Sequence, residues 1–230
     1  MNLANDGAKY GADQYRFARN YDLKRKIIEI KTDSKEYTLS FIGRDMLNFD
    51  SDNGVETFDY ECLKIEDNTY FVRFGRHIAV IELSQGFATL VLPEGFVFGS
   101  IELPGKSVTG KLHSMTDEMI GTAVCWVLGC DKYVNHIYYS ADKCRTAWSP
   151  DWDRFTDNPA VYVKIKDGIY LVDVTGAIPE SAPVTSGSDR MIVLEDYDHM
   201  MLVGCIFGKA PPLMISGYGE FPEFDQTLLS

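Results

Sequence analysis

The sequence is poor in most of what would point to a standard chemistry. Its five cysteines, Cys62, Cys125, Cys130, Cys144 and Cys205, are odd in number and contain no Cys-x-x-Cys pair. Most sit in apolar, strand-like runs, so buried reduced thiols in a reducing compartment are expected. The four histidines, His77, His113, His136 and His199, show no metal-ligand spacing. The nearest grouping, Cys125, Cys130 and His136, is irregular, and no metal is expected. Gly105–Leu112 approaches a phosphate loop but lacks the closing Ser/Thr and the strand-loop-helix setting. No Gly-x-Ser-x-Gly, Gly-x-Gly-x-x-Gly or His-Glu-x-x-His occurs. No bound cofactor is therefore expected. Asp50–Asp52 and Glu195–Asp198 read as solvated turns, because calcium-loop spacing and its glycine are missing.

Positive charge is also scarce, with 22 Lys and Arg against 34 Asp and Glu, a net −12 over 230 residues. Such a surface repels phosphate backbones and anionic bilayers, which argues against nucleic acid and membrane partners. No run approaches the roughly 20 apolar residues that span a bilayer. Met1–Asn20 is polar and lacks the apolar core of a signal peptide, so a soluble, cytoplasmic protein is expected.

What the chain does have is strand signal. Val, Ile, Tyr, Phe and Trp recur in short runs punctuated by Gly, Asp, Asn and Ser. Helix signal is confined to Asp6–Arg19 and a turn at Thr116–Ile120, where Thr116 caps ahead of Glu118. The chain also repeats. Leu63–Phe74 lies over Val163–Val174, with Lys64/Lys164, Ile65/Ile165, Asp67/Asp167, Tyr70/Tyr170 and Val72/Val172 identical. Asp67-Asn68 and Asp167-Gly168 supply the turn chemistry of a hairpin in each copy. The next strand, Arg76–Val80, matches Arg190–Leu194. The predicted fold is all-β: two tandem up-and-down antiparallel meanders closing as β-barrels, with little helix. The predicted division is an extension (1–22), a first barrel repeat (23–103), a linker (104–115), a second repeat (116–208) and a Pro/Gly-rich tail (209–230). The linker sits inside Pro93–Met115, which is rich in Gly and Pro, and the tail is not expected to form a central strand. Alternation turns Tyr70, Val72 and Phe74, and Tyr170, Val172 and Val174, inward, and leaves Arg73 and Asp173 to water. A lumen lined this way suits a small hydrophobic or aromatic metabolite.

Ile120–Trp126, Tyr133–Tyr138, Trp148 and Lys164–Tyr170 together resemble the C-terminal domain of the MoaF-like family. Tyr60 and Tyr70–Phe74 resemble its related N-terminal domain, and the resemblance covers about residues 24–208. It implies a calycin (lipocalin-like) barrel in each half and establishes no activity. The meander is also similar to phenolic acid decarboxylases, whose lumen carries a Tyr-x-Tyr pair, an Arg and a Glu. Here those positions read Trp126-Val-Leu128 and Gly176, with only Arg154 near the expected arginine, so decarboxylation is not expected. The family's Glu-His pair reads Asn135-His136, which removes the carboxylate expected to tune that histidine.

Two function classes follow. One is a cofactor-independent enzyme promoting isomerisation, dehydration or cyclisation. His136 would be its acid/base, Tyr170 and Tyr70 phenol donors, and Arg154 an oxyanion or carboxylate partner. Trp126, Leu128, Tyr138, Trp148, Val172 and Val174 would hold the substrate. The other is a lipocalin-like carrier using the same lumen without turnover. The Phe221–Phe224 segment and barrel edges offer a surface for homodimerisation.

Overall fold

A computed structural model of the chain describes residues 15–102, 108, 110–129, 132–149, 154–176, 188–208 and 211–221. It divides into two compact units, Ala18–Ser114 and Met115 onward together with the residues up to Phe17. The first unit is one closed antiparallel barrel in chain order. Its strands are β1 (Ile27–Lys31), β2 (Glu36–Phe41), β3 (Met46–Ser51), β4 (Gly54–Glu66), β5 (Thr69–Phe74), β6 (His77–Glu82), β7 (Phe87–Leu92) and β8 (Gly95–Ile101). The second unit follows the same path with β10 (Thr122–Gly129), β11 (Lys132–Ser140), β12 (Lys143–Trp148), β13 (Thr156–Lys166), β14 (Ile169–Thr175), β15 (Ser188–Asp196), β16 (Met201–Gly208) and β17 (Leu213–Glu220). β10 pairs with β17 and β12 with β13, so this ring also closes, while the short β9 (Ser114–Met115) lies beside β13.

The sequence repeat becomes a structural one. Ladder partners match strand by strand: Ile28 faces Leu39 as Val124 faces His136, and Tyr70 faces Ile81 as Tyr170 faces Glu195. In each copy the hairpin turn holds one residue at positive φ, Asn68 at 68° and Gly168 at 76°, residue types that tolerate the left-handed region. Even the approach to each barrel is duplicated. Asn20 N donates to Cys62 O (2.8 Å) and Thr116 N to Tyr162 O (3.1 Å). Leu23 and Met119 are buried in the two cores, and Arg25 N bonds Phe41 O as Gly121 N bonds Tyr138 O. Each approach is held by a lysine and a tyrosine of the repeated hairpin. Lys164 and the Tyr170 hydroxyl bond Glu118 at 2.8 and 3.0 Å, whereas Lys64 and Tyr70 lie 3.7 and 3.5 Å from Asp22.

Alternation sends one set of side chains inward in each unit. Tyr70, Val72 and Phe74 join one core cluster, and Val172 and Val174 the other, with Tyr170 packed against its edge. Each such buried aliphatic contributes about 1.5–3 kcal/mol. Closure places a glycine at each seam. A Cβ on Gly99 would sit 2.5 Å from Ile30 Cγ2 and 2.9 Å from Lys31 O, and one on Gly217 would strike the Val127 carbonyl.

Several expectations are corrected. The proline-rich tail contains β17, a central strand between β10 and β16. Pro211 and Pro212 precede it and Pro222 follows it, so no proline interrupts Leu213–Glu220. Likewise Gly95–Ile101, inside the stretch read as holding the boundary, is β8. Of the expected helix Asp6–Arg19, residues 6–14 lie outside the described residues and Tyr15–Arg19 is not helical. Thr116–Ile120 is a turn, with Glu118 N bonded to Thr116 Oγ1 at 3.2 Å. Asp173 is not solvated: it is 4% exposed and bound to Arg190 at 2.6 and 2.9 Å, which offsets the cost of burying its charge. Cys62, Cys144 and Cys205 are buried free thiols and Cys125 is half-buried, while Cys130 lies outside the described residues. No helix among the described residues is long and apolar enough to cross a membrane.

Candidate functional site

The lumen of the second barrel contains a buried polar cluster. His136 projects from the middle of β11, and its Nδ1 lies 2.9 Å from both Glu195 Oε1 and the Tyr138 hydroxyl. Tyr138, two residues along the same strand and therefore on the same face, donates to Glu195 at 2.7 Å from either carboxylate oxygen. Tyr197, in the turn after β15, donates to Glu195 Oε2 at 3.0 Å. His136, Tyr138 and Glu195 are each fully buried.

Hydrogen-bond counting assigns the protons. Two phenols and one imidazole nitrogen converge on Glu195, and a carboxylate accepts all three. The tautomer with its proton on Nδ1 fits this network; the other would set a lone pair against a carboxylate oxygen. The imidazole's second nitrogen, Nε2, then carries a lone pair and points away from Glu195. It is buried and has no hydrogen-bond partner among the described residues. Trp126 Nε1, a donor only, is in the same condition. On the β10–β11 ladder Val124 faces His136 and Trp126 faces Val134, so Trp126 is the diagonal neighbour of His136. Burial, together with the Glu195 charge, pushes the Tyr138 and Tyr197 hydroxyls well above the ordinary phenol range, which keeps them protonated as donors. The same two causes push the Cys144 thiol up, so it is inert in this lumen.

The predicted site residues divide accordingly. Trp126, Leu128, Tyr138, Trp148, Val172 and Val174 share one core cluster, into which His136 also projects. Tyr170 sits at its edge, meeting Tyr197 edge to face at 5.8 Å while its hydroxyl turns to Glu118. Tyr70 belongs to the other unit, with its hydroxyl near Asp22, and Arg154 is exposed ahead of β13. None of these last three joins His136 through a hydrogen bond given by the structure.

Glu195 is the residue that sequence reasoning missed. The stretch Glu195–Asp198 was expected to be a solvated turn, yet Glu195 and Asp196 are both fully buried. Asp196 caps the turn, accepting from the backbone N–H groups of Asp198 and His199 at 2.9 and 3.0 Å. Glu195 faces the lumen, as its alternation with Met191 and Val193 and its alignment with Ile81 require. It also supplies from a distant strand the carboxylate that Asn135 had appeared to remove.

No protein-family model matches this chain, and no curated protein matches it.

Proposed function

We propose that the second barrel's lumen is the functional site, and that the chain's own residues perform proton transfer there on a small hydrophobic or aromatic metabolite. One observation carries the reading: the His136 ring is fixed through Nδ1 by Glu195 and Tyr138 while Nε2 stays buried and unpartnered among the described residues. A carboxylate behind a histidine orients the ring and stabilises the imidazolium that forms when Nε2 takes a proton.

The chemistry is enolisation-driven. Nε2 removes a proton from a carbon next to a carbonyl, and the C–H electron pair moves to give an enolate. The Trp126 N–H steadies the developing oxygen charge, as a preorganised donor in a dry site does. The imidazolium then returns its proton to another carbon, which is isomerisation, or to a departing hydroxyl, which leaves as water. Tyr70, Tyr170 and Arg154 take no part in this chemistry.

The test begins with native mass spectrometry of protein from its natural source and denaturing release of any retained compound. That compound is then incubated in D2O with wild-type protein and with His136→Phe. Wild type should incorporate deuterium, and His136→Phe should be slower by about a hundredfold, the usual scale of acid/base help. A ligand retained in the lumen with no His136-dependent exchange would overturn catalysis and leave the carrier reading.

A further inference from the structure

We infer that the ligand of the second lumen is an uncharged molecule that offers one hydrogen-bond donor and one acceptor, a hydroxyketone or related hydroxycarbonyl compound. The inference rests on the reading of that lumen as the site and goes on to name its ligand class.

Charge argues first. The lumen already holds one carboxylate, Glu195, whose only candidate counter-charge, His136, is engaged with it through Nδ1. Among the described residues no lysine or arginine side chain is buried. Arg154, the cation expected to receive a substrate carboxylate, is exposed. An anionic ligand would therefore enter a dry site beside a like charge with no free cation, an arrangement that buried charges do not sustain.

Hydrogen bonding argues second. Tyr138 and Tyr197 spend their protons on Glu195, so neither phenol is left to donate to a ligand. The lumenal groups left buried and unpartnered among the described residues are one acceptor, His136 Nε2, and one donor, Trp126 Nε1, whereas Asn158 Nδ2 donates to Thr146 Oγ1 at 2.9 Å. Buried polar groups are ordinarily satisfied, and these two on neighbouring strands form a complementary pair. In the bound ground state a ligand hydroxyl donates to Nε2, which brings the C–H of the same carbon, next to the carbonyl, to the base, and the carbonyl accepts from the indole.

Three phenyl probes of similar size separate the possibilities by isothermal titration calorimetry on the full chain at neutral pH. 2-Hydroxyacetophenone has donor and acceptor, acetophenone the acceptor alone, and mandelate a carboxylate. The hydroxyketone should bind at least tenfold more tightly than either of the others. His136→Phe should erase its advantage over acetophenone, and Trp126→Phe, which removes the indole N–H and keeps a ring against Tyr197, should weaken both ketones. Mandelate binding as tightly as the hydroxyketone, with affinity lost in Trp126→Phe, would overturn the ligand class and keep the site. Binding that neither variant alters, or no binding by any probe, would overturn the site and this inference with it.

Discussion

The two barrels share a chain path and differ in what fills them. At the four positions where the second holds His136, Tyr138, Glu195 and Tyr197, the first holds Leu39, Phe41, Ile81 and Leu83. At another set the first barrel carries rings: Tyr37 stacks on Phe49 at 6.0 Å, and Phe74 lies 5.3 Å from Phe49 and 5.8 Å from Phe58. The second carries Val134, Thr146, Asn158 and Val174 at those places, and Trp148, paired with Val134, supplies a ring there. The first barrel shows that this backbone closes and packs with apolar side chains at those four positions. The cluster in the second is therefore not a requirement of the fold. A buried polar network is at best a weak source of stability beside well-packed apolar residues, which turns attention from stability to chemistry.

The contrast can be broken most forcefully by moving the charge. Ile81→Glu buries a carboxylate where the first barrel has Leu39, Phe41 and Leu83 in place of the imidazole and two phenols that meet Glu195. Urea denaturation should show the first unit losing about 4 kcal/mol or more. The reverse change, Glu195→Ile, strands the donors of His136, Tyr138 and Tyr197 and should cost about 2–4 kcal/mol. Replacing all four together, with Leu, Phe, Ile and Leu at 136, 138, 195 and 197, should recover that loss and abolish activity. A quadruple variant less stable than Glu195→Ile would show that the cluster serves the fold after all.

Acidification probes the first unit separately. Burial pushes His113, whose Nδ1 meets Thr89 Oγ1 at 2.8 Å, down to about 4. Its folded value lies below its unfolded one, so the unfolded chain binds the extra proton. Stability is full above about pH 6.5 and falls by about 3 kcal/mol as the pH drops toward 4. His113→Gln should flatten that limb in pH-dependent denaturation; an unchanged slope would assign the acid sensitivity elsewhere.

Smaller substitutions sharpen the picture. Val174→Phe installs the ring that the first barrel accommodates at Phe74. It should cost about 1–3 kcal/mol through overpacking and block ligand uptake, measured by the same calorimetry. Tyr170→Phe removes a 3.0 Å bond to Glu118, and Tyr70→Phe a 3.5 Å approach to Asp22. The first should lower the denaturation midpoint slightly and the second not measurably, since exposed bonds of this kind contribute little.

The barrels were legible in the sequence because alternation and turn residues are local signals, and the repeat at Leu63–Phe74 and Val163–Val174 made them doubly so. β8 and β17 were not, because glycines and flanking prolines mask short strands whose partners lie far along the chain. His136, Tyr138 and Trp126 were found from strand position and residue type. Glu195 was hidden because an acidic residue beside Asp-Tyr-Asp looks like a turn until its alignment with Ile81 is drawn. The hydroxyls of Tyr70 and Tyr170 were placed in the lumen by alternation, which fixes the side of the strand but not the level along the barrel. Their rings sit at the rim, beside the approach segments.

The closing strand β17 has a consequence for how the protein is made. The first barrel shuts when Ile30 pairs with Ile101, whereas the second must wait until Gly219 reaches Trp126. During synthesis β10 and β16 therefore present open edges, with His136 and Glu195 still wet, until the Leu213–Glu220 segment leaves the ribosome. Phe17, by then long since made, donates its backbone N–H to Ser216 Oγ at 2.6 Å and fastens that last strand from the other end of the chain. A stop codon ahead of Leu213 would spare the first barrel and leave the second an unsealed, aggregation-prone sheet.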